Sequence, residues 1–288
     1  MRRRPASARA ACLAALTRNS SFSSVSIDSS LTELVGWVKL VDMNSPQPPL
    51  WRRAVAELLG TCLLVSIVVG SGIAAEQLSP GDVGLQLLQN STATVFGLTV
   101  LILMLGPVSG AHFNPVVSLA DWLLGRRSGA GLTLPEVGVY VTAQVAGGIG
   151  GSILANAMFD VGTSISTKER LTGGHALGEV VATAGLILLI FALARTSRGV
   201  LAAPAVGAYI GAAYWFTSST SFANPAVTVG RIFSDTFAGI APGSVPGFIL
   251  AQLAGAAVGM GLLLVLFPSA GRSADDVVIP HHADKADS

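Results

Sequence analysis

The chain has 288 residues, of which 51% are hydrophobic and 11% charged, and its mean hydropathy is +0.65. A soluble domain carries about a quarter charged residues, so too little charge is present to wet a globule of this size, and most of the surface must face a bilayer. Lys and Arg total 17 against 16 Asp and Glu, without the basic field that a nucleic-acid partner needs, and Cys12 and Cys62 supply neither a disulfide framework nor zinc-ligand spacing.

Residues 1–50 read as a disordered extension. Arg2, Arg3, Arg4, Arg9 and Arg18 precede the first acid, Asp28, and a Ser-rich stretch from Ser20 to Ser30 follows with no apolar run long enough to span. Such a composition suits a tail, or translation from an upstream start with Met43 as the alternative start. It also has the Arg- and Ser-rich, acid-poor character of a transit peptide.

Six apolar stretches then follow at 54–75, 91–108, 134–159, 176–194, 201–219 and 245–267. Each is close to the ~20 residues that cross ~30 Å of hydrocarbon as a helix. Two shorter segments, 112–124 and 222–233, each contain an Asn-Pro pair and would rise only about half that distance, which makes them half-helices. The fold class predicted is an all-α polytopic membrane protein with six spans and two re-entrant half-helices.

The chain also repeats itself. Ala56-Glu57-Leu58-Leu59-Gly60-Thr61 in the first span is echoed by Gly178-Glu179-Val180-Val181-Ala182-Thr183 in the fourth, and Ala143-Gln144-Val145-Ala146-Gly147 in the third by Ala251-Gln252-Leu253-Ala254-Gly255 in the sixth. An odd number of spans per unit turns the second copy upside down. The first repeat occupies 51–160 and the second 161–268, with a tail at 269–288. Arg52, Arg53, Arg126, Arg127, Arg195 and Arg198 cluster in alternate loops, which predicts cytoplasmic termini. In that orientation the half-helices enter from opposite faces and their N-termini meet near the bilayer centre.

The strongest chemical signal is the pair Ser109-Gly110-Ala111-His112-Phe113-Asn114-Pro115-Val116 and Ser221-Phe222-Ala223-Asn224-Pro225-Ala226. Asn is a good N-cap and Pro is favoured at the first helical position, so each pair is a helix start written into an apolar region. Irregular backbone at that depth must be buried in protein or line a cavity. Together with the inverted repeat, Glu57, Glu179 and the Gln-containing third and sixth spans, these motifs resemble the aquaporin, or major intrinsic protein, family from Trp51 to Phe267. The first motif departs mildly, with Val116 where the family has Ala.

The resemblance implies a pore through each subunit of a homotetramer, in the plasma (inner) membrane, with no cofactor and no enzyme activity. The passengers would be water and small neutral solutes. Asn114 and Asn224 would cap their helices through the side-chain oxygen and leave the amide NH2 free to donate into the pore, breaking a proton wire. The half-helix dipoles would repel cations. His112 would line the cytoplasmic vestibule or hold the loop. Glu57 and Glu179, at a cost of ~2.5–3.5 kcal/mol or more if left charged at a span centre, would hold the re-entrant loops or, in the alternative of a coupled secondary transporter, carry protons.

Counted by that family's spacing, the selectivity constriction falls on Thr94, Ala212, Ser221 and Val227, with Phe96 taking the place of Thr94 if the second span shifts by two residues. Val227 stands where most members have Arg, Thr228 stands where glycerol facilitators have Asp, and the next Arg, Arg231, is expected at the outer mouth. The pattern is similar to a bacterial branch associated with arsenic resistance, which implies a wide, weakly polar filter passing glycerol and metalloid hydroxides such as arsenite. The glycines of the third and sixth spans, among them Gly147, Gly148, Gly150, Gly151, Gly255, Gly259 and Gly261, are expected at helix contacts.

Overall fold

In a computed structural model of the protein, residues 47–126 and 129–268 are described. The extension before residue 47, Arg127 and the tail from 269 lie outside them. Among the described residues eight α-helices run in the order α1 Leu50–Leu78, α2 Val83–Ser109, α3 Pro115–Gly125, α4 Leu134–Met158, α5 Gly173–Arg195, α6 Ala202–Phe216, α7 Pro225–Gly230 and α8 Val245–Leu266. Six of these segments are long and apolar enough to cross a membrane, α6 together with the 3-10 turn Gly199–Leu201 that leads into it. The short α3 and α7 are the two half-helices, and α7 is extended by a 3-10 turn at Arg231–Phe233.

Polarity is distributed inside out relative to a water-soluble bundle. Large apolar side chains such as Phe96, Val100, Leu103, Leu250 and Val265 stand exposed on the outer helix faces, whereas Glu57, Glu179, Gln144 and Gln252 are fully buried. With lipid outside, every interior polar group must find a protein partner, and the packing reflects that demand. Within each repeat the first span packs on the third, α1 on α4 and α5 on α8. Across repeats, α4 packs on α7 and α8 on α3, so each half-helix lies between the last spans of both repeats.

Small residues set how closely these helices approach. A Cβ on Gly147 would lie 2.3 Å from the Leu58 carbonyl oxygen, and one on its repeat counterpart Gly255 would lie 2.5 Å from that of Val180. Gly148 and Gly230 face one another where α4 meets α7, and a Cβ on Gly230 would come within 2.4 Å of the Gly148 carbonyl oxygen. Gly151 and Gly259 are as tightly placed, against Cys62 and Ala184. Gly150 and Gly261 are not contact positions, since a Cβ at the first would meet only Cys62 Sγ at 3.9 Å and at the second nothing within 4 Å.

Candidate functional site

Each half-helix begins as its sequence dictates. Asn114 and Asn224 are extended N-caps with φ −154° and −158°, followed by Pro at the first helical turn. Asn114 Oδ1 accepts from Val116 N at 3.1 Å, and Asn224 Oδ1 accepts from Ala226 N at 3.0 Å and Val227 N at 3.3 Å. The amide nitrogens reach across the molecule: Asn114 Nδ2 donates to the Ala223 carbonyl at 2.8 Å and Asn224 Nδ2 to the Phe113 carbonyl at 2.7 Å. This corrects the expectation that both amide hydrogens are free. One N–H of each amide ties the two loops together, and the other remains for the interior.

The loops ahead of the caps are strained. Ala111, Phe113, Ser221 and Ala223 have φ between 47° and 49°, a left-handed backbone that costs L-residues of order 1–2 kcal/mol each. The buried carboxylates hold them there. Glu57 accepts from His112 N at 3.0 Å, Phe113 N at 2.7 Å, Ser109 Oγ at 2.7 Å and Gln144 Nε2 at 2.7 Å. Glu179 accepts from Phe222 N and Ala223 N, both at 2.8 Å, and from Gln252 Nε2 at 2.7 Å. Each Gln also donates to the hydroxyl four residues past its Asn, Ser118 at 3.0 Å and Thr228 at 2.9 Å. Both carboxylates are thus engaged by backbone and side-chain donors. The pairing of Ser118 with Thr228 shows in the sequence only as their common offset from Asn114 and Asn224.

One cavity of about 750 Å3, its open mouths included, touches both loops. Its wall takes Leu64 and Val68 from α1, Thr94, Leu98 and Ile102 from α2, Leu186 and Ile190 from α5, and Val206, Ile210 and Tyr214 from α6. His112, Asn114, Ser221, Asn224, Val227 and Arg231 are among the others that line it. The lining is largely aliphatic, with polar groups confined to the loops and to the Thr94, Tyr214 and Arg231 region.

Three of the four expected constriction residues, Thr94, Ser221 and Val227, face this cavity, and Ala212 does not. Ala212 is exposed on the outside of α6, and the helix turns Tyr214 inward instead. Two residues rotate a helix by about 200°, so only one of the pair can face inward. The same rule excludes Phe96, which is 68% exposed while Thr94 is buried. Arg231 lies in the cavity wall itself with 3% of its surface exposed, its guanidinium 3.5 Å from the centre of the Phe222 ring. His112, at the opposite loop, places Nδ1 3.0 Å from Ser118 Oγ and its ring edge-on to Tyr140.

Beyond Arg231 the loop 234–241 turns back onto it, with Ile240 N donating to the Arg231 carbonyl at 3.3 Å. Arg231 Nε donates to the Ala238 carbonyl, while Arg170 Nη2 and Nε donate to those of Phe237 at 2.8 Å and Gly239 at 2.6 Å. Burial pushes the Arg170 guanidinium down to about 10, so it stays charged at neutral pH. Asp235 ties this loop to the α4–α5 connection by accepting from Thr167 N at 2.9 Å and from the Thr167 and Ser166 hydroxyls, which holds its carboxyl below the usual range.

Comparison with known proteins agrees with this geometry. Residues 44–222 match the family model described as major intrinsic protein. The chain is 51% identical over 216 residues to the aquaglyceroporin AqpS of Rhizobium meliloti (strain 1021), covering 74% of this chain and 89% of that one. It is 31% identical over 274 residues to the glycerol uptake facilitator protein of Pseudomonas aeruginosa, covering 80% and 95%. The X-ray structure of the aquaglyceroporin from Plasmodium falciparum superposes with a TM-score of 0.53 at 20% identity, over 77% of this chain and 98% of that one, which speaks for the shared fold.

Proposed function

The chain belongs to the major intrinsic protein family, whose members are multi-pass membrane channels rather than enzymes, and from that premise we propose that it passes water and small neutral solutes while rejecting protons and ions. The observation that carries this reading is the cavity that touches both Asn-Pro loops. An aliphatic wall binds solute weakly, which favours fast passage, and two half-helix N-termini aimed at the same space bring partial positive charge to it. A water beside Asn114 and Asn224 accepts from the remaining amide hydrogens, and its orientation there interrupts a donor-to-acceptor file.

For the solutes, glycerol and neutral metalloid hydroxides such as arsenite fit best. The relatives named as an aquaglyceroporin and a glycerol uptake facilitator support the first. The small side chains Thr94, Ser221 and Val227 on the cavity support room for either. We place the chain in the plasma (inner) membrane as a homotetramer with one pore per subunit and cytoplasmic termini, the last on the positions of Arg52, Arg53, Arg126, Arg195 and Arg198. His112 then lines the inner vestibule and Arg231 the outer mouth. The secondary-transporter alternative needs a carboxylate that is free to load a proton, and Glu57 and Glu179 are both occupied by several donors.

Stopped-flow light scattering on proteoliposomes tests the proposal. Swelling in glycerol and uptake of As(OH)3 should exceed those of empty vesicles and run only down their gradients. Accumulation against a gradient when a proton gradient is imposed would identify a transporter instead. In the same assay Val227→Arg should slow glycerol more than water, and equal slowing of both would remove residue 227 from the constriction.

A further inference from the structure

Away from the cavity, the start of α1, the end of α3 and the start of α4 meet in one corner of the bundle, where Leu50 and Trp122 pack on the buried cluster of Leu132, Val137 and Tyr140. The acids of this corner are occupied. Glu136 pairs with Arg53, and the buried Asp121 accepts from Leu132 N at 2.7 Å. Arg52 and Arg126 have no ion-pair partner among the described residues, and both are exposed. Each lies over an indole instead, Arg52 5.3 Å from the centre of the Trp51 ring and Arg126 5.7 Å from that of Trp122. Helix α1 begins after Pro49 without a side-chain cap, so its first backbone N–H groups point out of the bundle at the same corner.

Apolar surface runs from this corner toward the bilayer interior. Trp51 is 64% exposed, and Val55, Leu58 and Leu59, one and two turns further along α1, are exposed on the same face. A partner that suits both parts carries a negative head at the level of the indoles and hydrocarbon below it. Guanidinium groups meet phosphate oxygens with paired N–H donors, and indoles settle at the headgroup level of a membrane. We propose that Arg52 and Arg126, with Trp51 and Trp122, form a headgroup site for an anionic phospholipid whose chain lies along the Trp51, Val55 and Leu59 face of α1. This end of the bundle is the one assigned above to the cytoplasm, and the cytoplasmic leaflet is where anionic lipid gives a membrane its negative surface potential.

The site requires the chain to lie in a bilayer but not to conduct, so its test reads no flux. Thermal unfolding of the detergent-solubilised protein should move to higher temperature, and saturate, on titration with dioctanoyl phosphatidylglycerol. Dioctanoyl phosphatidylcholine, whose choline offsets its phosphate, and inorganic phosphate should each move it far less. Arg52→Gln and Arg126→Gln should each raise the half-saturating lipid concentration about fivefold, and the double variant about 25-fold. Both are surface positions, so the lipid-free midpoints should stay near the parent's. Arg198→Gln removes an exposed arginine from the α5–α6 connection at the same end, and should leave the half-saturating concentration unchanged. An equal shift with phosphatidylcholine would show no recognition of charge, and an equal shift with phosphate would leave a free-anion site only. An unchanged titration in the double variant would put the lipid elsewhere, and any of these three results overturns the proposal. A loss through Arg198→Gln as large as through Arg52→Gln would overturn it too, by showing attraction to the whole end rather than to this corner.

Discussion

The loop before α3 and the loop before α7 share one mechanical plan and differ at their outer ends. In both, a buried Glu takes two consecutive backbone N–H groups, a Gln steadies the Glu, a hydroxyl steadies the Gln, and an Asn caps the half-helix while reaching into the other loop. The first loop then continues into His112, Ser118 and Tyr140, a polar cluster whose Tyr140 hydroxyl donates to the Ser109 carbonyl at 2.9 Å. The second continues into Phe222, Arg231 and Arg170, where an aromatic ring carries two guanidinium groups. What the repeats hold in common keeps strained backbone in place, and of what they do not share only His112, Phe222 and Arg231 reach the cavity wall.

The largest effect should come from the shared part. Glu57→Gln and Glu179→Gln each turn an acceptor into a donor facing N–H groups, which should cost on the order of 2–4 kcal/mol in unfolding free energy. Glu57, with four donors against three, should be the more damaging of the two in thermal unfolding of the detergent-solubilised protein. A milder Glu57→Gln would mean that the number of donors on the carboxylate does not set the cost.

The next test transplants one repeat into the other. Gly60 gives room to the Phe113 ring, whose Cε1 would sit 2.0 Å from a Cβ at that position, whereas the second repeat has Ala182 and Ala223 at the matching places. Gly60→Ala should destabilise by about 1–3 kcal/mol, and adding Phe113→Ala should recover part of the loss, a positive coupling in a double-mutant cycle. Strict additivity would show that the two residues do not share one space.

The smallest effect concerns the outer loop alone. Asp235 has a depressed pKa in the folded protein, so its contribution is fully present above the ordinary carboxylate range and is lost as pH falls through the lower folded value. Limited proteolysis between residues 160 and 172 should therefore quicken on acidification below that range, and Asp235→Asn should show the quicker rate at neutral pH. The equivalent change at Glu57 should not mimic it, since that carboxylate serves the interior.

The sequence legibly encodes what depends on residue type at fixed spacing. Two Asn-Pro starts, two Glu and two Gln at matching places, and six apolar stretches of spanning length define the inverted repeat before any coordinate is known. What was illegible depends on helix rotation. Thr94 against Phe96 and Ala212 against Tyr214 are choices between opposite faces: in α2 the buried i, i+4, i+8 stripe of Gln86, Asn90 and Thr94 marks the inward one, whereas the mostly apolar α6 carries no such stripe. Arg231 shows a different limit: the distance along the helix was countable, but its burial depends on the Phe222 ring and on a carbonyl seven residues further along.

The crossed bonds from Asn114 to Ala223 and from Asn224 to Phe113 also bear on how the protein is made. While the first repeat emerges from synthesis, the Phe113 carbonyl and one hydrogen of the Asn114 amide have no mate, since both mates lie more than a hundred residues downstream. The first half can enter the bilayer and fold its spans, yet its central loop is completed only when the second half arrives. The two halves, for all their internal likeness, are parts of one cooperative object.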